Sequence, residues 1–98
     1  MKAIADICII PIGVGVSFSK YIATCESIFE EAGLTTKLHA YGTNVEGEWG
    51  SVFQALERCH EMLHEMGVPR ISTSIRIGTR VDRDQTMDQK IRSVKSKQ

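Results

Sequence analysis

Along residues 3–12 the side chains alternate with the period of a strand. Ala3, Ala5, Ile7 and Ile9 fall on one side, and Ile4, Asp6, Cys8 and Ile10 on the other. The first side is wholly apolar and the second is mixed. Such a strand has helices on one face and something different on the other. From 17 to 32 the period becomes helical: Tyr21, Ile22, Cys25, Ile28, Phe29 and Ala32 form one stripe, and Lys20, Glu26, Glu30 and Glu31 are left for water. Ser17 is the expected N-cap and Gly33 the stop. Residues 35–41 read as a second strand, with Thr36, Leu38 and Ala40 toward the helices and Lys37, His39 and Tyr41 away. Gly42-Thr43 is the expected tight turn, because glycine adopts the positive backbone angles of hairpin turns. The chain returns over 44–48, with Val45 toward the helices and Asn44, Glu46 and Glu48 away. A second helix over 49–66 carries the stripe Val52, Phe53, Leu56, Cys59, Leu63 and Met66, and ends at Gly67 and Val68-Pro69. The last strand, 70–81, has Ile71, Thr73, Ile75, Ile77 and Thr79 on its apolar face and Ser72, Ser74, Arg76, Gly78 and Arg80 on its polar one. After a charged link at 82–84, Met87, Ile91 and Val94 mark a tail helix over about 85–95. Its narrow apolar stripe must lie on its own domain or on a neighbouring subunit, and the chain beyond it is expected to fray.

The order strand, helix, strand, strand, helix, strand is the βαββαβ arrangement of ferredoxin-like domains. The predicted fold is therefore α+β: one domain over 1–98, a four-stranded antiparallel sheet with two helices on one face, plus the short C-terminal helix. The usual strand order puts the first and third strands in the centre. Asp6 and Cys8 then neighbour Asn44 and Glu46 on the face without helices, joined by Ser74, Arg76, His39 and Tyr41. A half-apolar face of this size is rarely left bare, and a second copy of the same sheet is the simplest cover. Asp6 in mid-strand is costly unless solvated, paired or bound to something. It also repels Glu46; a cationic or amine-bearing ligand relieves this, as do Arg76 or a proton on one of the acids. A salt-bridge network with no ligand satisfies the same groups.

Twelve basic and twelve acidic residues leave the chain formally neutral. Nucleic acid is not the expected partner, although a local basic patch is left open. No apolar run has the length of a membrane span, and Asp6 interrupts the N-terminal one. Cys8, Cys25 and Cys59 are odd in number, widely spaced and inside regular elements, so they read as buried thiols of a reducing compartment, with no zinc pattern. The expected location is the cytoplasm, without membrane association. Two motifs imitate known chemistry. Gly13-Val14-Gly15 before a helix resembles an anion-cradling loop, but Phe18 stands where the dinucleotide pattern has its third glycine. His60-Glu61-Met62-Leu63-His64 is a formal zinc-protease match, yet Arg70 occupies the place of a third histidine.

Three stretches carry a family likeness: Ala5-Asp6-Ile7-Cys8-Ile9-Ile10-Pro11-Ile12-Gly13, Gly42-Thr43-Asn44-Val45-Glu46-Gly47-Glu48-Trp49, and Ile75-Arg76-Ile77-Gly78-Thr79-Arg80. Over nearly the whole chain they resemble the small thiamine-binding-protein family of bacteria, archaea and fungi. The cytosolic fungal members look closest, including the tail after Arg80. The resemblance implies a homotetramer, a dimer of sheet-packed dimers, in which some members bind thiamine or its hydroxymethylpyrimidine part without known chemistry. The chemistry of the residues agrees: Asn44 and Glu46 suit hydrogen bonds to an aminopyrimidine, and an aromatic such as Tyr41 or Trp49 suits stacking on its ring, while Ser17 and Thr43 are matching polar positions near the loop end of the sheet. A cationic thiazolium suits an acidic pocket, and a phosphate-free vitamin needs no basic cradle. Gly13-Val14-Gly15 departs from the Gly-Thr-Gly form associated with many prokaryotic members.

The expected function is a non-catalytic binder of thiamine or its hydroxymethylpyrimidine moiety. Its pocket lies on the open sheet face of an oligomer and uses Asp6, Ser17, Tyr41, Thr43, Asn44, Glu46 and Arg76, with no cofactor or metal. The competing expectation is an interaction module whose sheet face serves assembly alone. An enzyme built on His39 and Cys8 is the third.

Overall fold

The computed structural model describes residues 1–98. Four strands, β1 (Lys2–Ile12), β2 (Thr35–His39), β3 (Gly42–Glu48) and β4 (Arg70–Thr79), form one antiparallel sheet in the order β2-β3-β1-β4. Helices α1 (Ser19–Glu31) and α2 (Trp49–Glu65) cover one face of it. This is the ferredoxin-like arrangement that the alternating pattern predicts. The odd residues of β1 are the reason it holds together. Ala3, Ala5, Ile7 and Ile9 are buried with Val45, Tyr21, Cys25, Phe29, Val52, Cys59 and Leu63 between sheet and helices.

The registers fix what meets on the other face. Asp6 lies directly opposite Asn44 on one side and Arg76 on the other, and Ile4 lies opposite Glu46. β1 pairs with β3 only as far as Ile7, while its ladder with β4 runs on to Ile12. Pro11 therefore sits where β1 has a neighbour on one side alone, and its missing N–H costs no ladder bond.

Three sequence expectations are corrected. The β2–β3 turn is Ala40-Tyr41, closed by the pair His39 and Gly42, rather than Gly42-Thr43. Gly42 is needed for space instead of angle: a Cβ there would stand 2.7 Å from the Ile7 carbonyl oxygen. Because the shift is by two residues, the faces predicted for Lys37, His39 and Asn44 are unchanged. Secondly, α1 begins after Phe18, and Ser17 makes no capping hydrogen bond. Thirdly, α2 buries Val52, Ala55, Cys59 and Leu63, leaving Phe53 and Met66 more than a third exposed. Phe53 packs against Trp49 at the surface, with ring centroids 5.0 Å apart and the planes tilted by 46°.

The tail helix α3 (Met87–Lys95) starts at a complete capping box between Thr86 and Gln89. Its first turn rests on the open face through buried Met87. Ile91 and Val94 stay exposed. The radius of gyration is 14.4 Å, above the roughly 13 Å of a compact chain this long, as expected for a projecting tail.

Candidate functional site

A cavity of about 510 Å³ lies on the open face, between the sheet and the chain that follows β4. That is within the usual range for a small-molecule site. β1 supplies Lys2, Ile4 and Asp6, β3 supplies Asn44, β4 supplies Arg76, and the link with α3 supplies Arg80, Arg83, Asp84, Gln85 and Lys90. Strand alternation accounts for this selection, since Ile4, Asp6, Asn44 and Arg76 all point away from the helices.

Asp6 is half-exposed and already engaged. The His39 ring N–H donates to its carboxylate at 2.7 Å. Arg76, across the ladder from Asp6, forms no ion pair with it. Arg80 donates to Asp82 through two nitrogens at 2.5 and 2.7 Å, and to Gln85 at 3.2 Å. The guanidinium holds the Asp82 carboxyl down to about 2. This clamp sits at the bend over 81–83, and Arg83 and Lys90 beyond it line the cavity.

Of the residues singled out from the sequence, Asp6, Asn44 and Arg76 come together at this cavity. Glu46 lies beside them but is nearly covered. The backbone N–H of Met87 points at its carboxylate from 3.5 Å, at the N-terminus of α3, where a negative charge is favoured. Lys37 pairs with Asp88 alongside and secures the same turn. The other three lie elsewhere. Thr43 faces the helices, where its hydroxyl donates to Glu26. Tyr41 stands exposed at the hairpin tip, and Ser17 is in the loop before α1.

Tyr41 and Thr43 border a second groove of about 610 Å³ between α1 and the β2–β3 hairpin, lined mostly by apolar side chains such as Ile9, Phe18, Ile22 and Leu38. Neither cavity draws on Gly13 or Gly15. The two histidines of α2 are engaged within the chain: His60 Nε2 is 2.7 Å from the Thr73 hydroxyl, and His64 Nδ1 is 2.7 Å from the Val68 carbonyl oxygen.

The expected acidic pocket is not what the open face presents, because basic side chains outnumber carboxylates around the cavity. Lys2, Arg80, Arg83 and Lys90 join the cavity without having stood out as site residues in the sequence. A signal was present: eight of the twelve basic residues lie in residues 70–98. A balanced net charge concealed it.

A family model described as thiamine-binding protein matches residues 5–95. The chain is 53% identical over 96 residues to the UPF0045 protein sll0230 of Synechocystis, covering 98% of this chain and 79% of that one. It is 37% identical over 98 residues to the fungal UPF0045 protein ECM15 of Eremothecium gossypii, covering 99% and 93%. The crystal structure of hypothetical protein MJ1052 from Methanocaldococcus jannaschii superimposes with a TM-score of 0.89 at 30% identity, over 96% of both chains.

Proposed function

Because the chain belongs to the thiamine-binding protein family, we propose that it is a non-catalytic, cytoplasmic binder of thiamine or its hydroxymethylpyrimidine moiety. The carrying observation is the open-face cavity, where Asp6, Asn44 and Arg76 converge from three strands. An aminopyrimidine offers an amine donor and ring-nitrogen acceptors. Asn44 offers both kinds of group, Asp6 accepts and Arg76 donates. Glu46 acts one step removed, by seating the α3 turn beside the cavity.

The same reading makes the protein a homo-oligomer, a tetramer built as a dimer of dimers. Supporting this, Ile10 and Ile12 on the open face and Ile91 and Val94 on α3 are exposed. Burying such a surface against a second copy is favourable.

Calorimetric titration with thiamine and with hydroxymethylpyrimidine, on protein of measured mass, tests both parts. Saturable binding at a fixed ratio per subunit, weakened at least about tenfold in Asn44→Ala, is the expected result. A folded oligomer that takes up neither compound would instead be an interaction module, the reading that the exposed isoleucines favour.

A further inference from the structure

The open-face cavity is ringed by five cations, Lys2, Arg76, Arg80, Arg83 and Lys90, against two carboxylates, Asp6 and Asp84. The chain as a whole is neutral, so the concentration is local. Arg80 is occupied by Asp82, and Asp6 by His39. Lys2, Arg76, Arg83 and Lys90 form no ion pair within the chain. They come from β1, β4, the link and α3, so four separate segments contribute basic residues to the wall of one concavity. Unpaired like charges around a concave site repel one another, and a bound anion turns that repulsion into attraction. Guanidinium forks match the geometry of phosphate oxygens, and lysine adds a mobile point charge. A neutral pyrimidine can take a hydrogen bond from Arg76 but leaves the charges of Lys2, Arg83 and Lys90 unmatched, and a thiazolium is repelled by them.

We infer that the cavity selects the phosphorylated form of its ligand, a phosphate monoester of the hydroxymethylpyrimidine or of thiamine. The phosphoryl group lies among Arg76, Arg83 and Lys90, with the ring toward Asp6 and Asn44. Arg80 is given a positioning part, since it grips Asp82, the neighbour of Arg83 in the link. This inference rests on the pyrimidine reading of the cavity and adds the charge state of the ligand to it.

The test is calorimetry at low and high salt with five probes: hydroxymethylpyrimidine, its monophosphate, thiamine, thiamine monophosphate and inorganic phosphate. At low salt a monoester is expected to bind at least about tenfold more tightly than its parent alcohol, and the gap should narrow as salt screens the charges. Whichever monoester shows the larger gap identifies the ring. Arg83→Gln and Lys90→Gln lie outside the four strands and two packed helices, so the fold is expected to survive, which circular dichroism checks. Each should move the ratio of monoester to parent affinity toward one. Equal affinities for monoester and parent in the wild type would overturn the phosphate inference and leave the pyrimidine reading standing. Inorganic phosphate binding as tightly as the monoesters, with no binding of the parents, would overturn the pyrimidine reading and keep an anion cradle. Silence from all five probes would overturn both.

Discussion

At the scale of single residues, the same amino-acid type performs opposite duties according to what stands nearby. A Cβ on Gly42 would sit 2.7 Å from the Ile7 carbonyl oxygen, whereas one on Gly50 meets nothing within 4 Å. Gly42→Ala should therefore destabilise by about 1–3 kcal/mol, and Gly50→Ala, in the first turn of α2, should stabilise by roughly 0.5 kcal/mol; urea midpoints separate the two. The sequence made Gly42 conspicuous but not its reason, because close approach between strands depends on a register that local patterning does not contain. His60 offers a test by pH. Burial, and then the charge of nearby His64, lower its pKa from 6.5. The folded state thus binds its proton less readily than the unfolded chain. Its contribution to stability is complete above 6.5 and is lost as pH falls through 6.5 toward the lower folded value. Replacing it in His60→Asn should flatten the stability profile between about pH 7 and 5, measured by thermal melts across that range.

At the scale of elements, the strands and the two packed helices were legible because each shows one periodicity for several turns or pleats. The buried stripe of α2 is rotated by part of a turn from the one its apolar residues suggest. Phe53 and Met66 are larger and more apolar than Ala55, yet it is Ala55 that is buried, because side-chain bulk does not set which face of the helix turns inward. The position of α3 was not legible at all, since Met87, Ile91 and Val94 describe a stripe without saying what lies under it. The structure seats the helix by its first turn alone, with Met87 buried and Glu46 facing its N-terminus. Thr86→Ala removes the cap and should cost α3 about 1 kcal/mol. Glu46→Gln keeps the shape but loses the charge at the helix end, worth about 0.3–1 kcal/mol. In both variants, amide exchange over residues 87–95 should accelerate while the amides of β1 and α2 keep their wild-type rates. Acceleration throughout the chain would show instead that α3 is part of the global folding unit.

For the whole molecule, the covered or uncovered state of the sheet face can be read from its thiols. Cys25 and Cys59 are buried between α1 and α2, where hydrogen bonding to Cys25 and then burial push the Cys59 thiol up. Neither should react with an aromatic disulfide reagent before unfolding. Cys8 is only partly buried, on the face away from the helices. In a sheet-packed oligomer it should react slowly, and faster on dilution to the monomer; fast labelling at every concentration would rule that assembly out. The cavity itself shows why candidate-site residues were only partly readable. Asp6, Asn44 and Arg76 follow from strand order, which the βαββαβ pattern supplies. Arg83 and Lys90 depend on how the link turns after Thr79, and no periodicity governs a link. That division has a consequence for how such proteins diversify. The sheet and its two helices are complete at Thr79, and every residue beyond it that touches the cavity does so from outside the core. Scaffold and selectivity are consequently separable along the chain: a graft of residues 80–95 between relatives would exchange one wall of the cavity, and with it the charge presented to the ligand, on a frame that need not change at all.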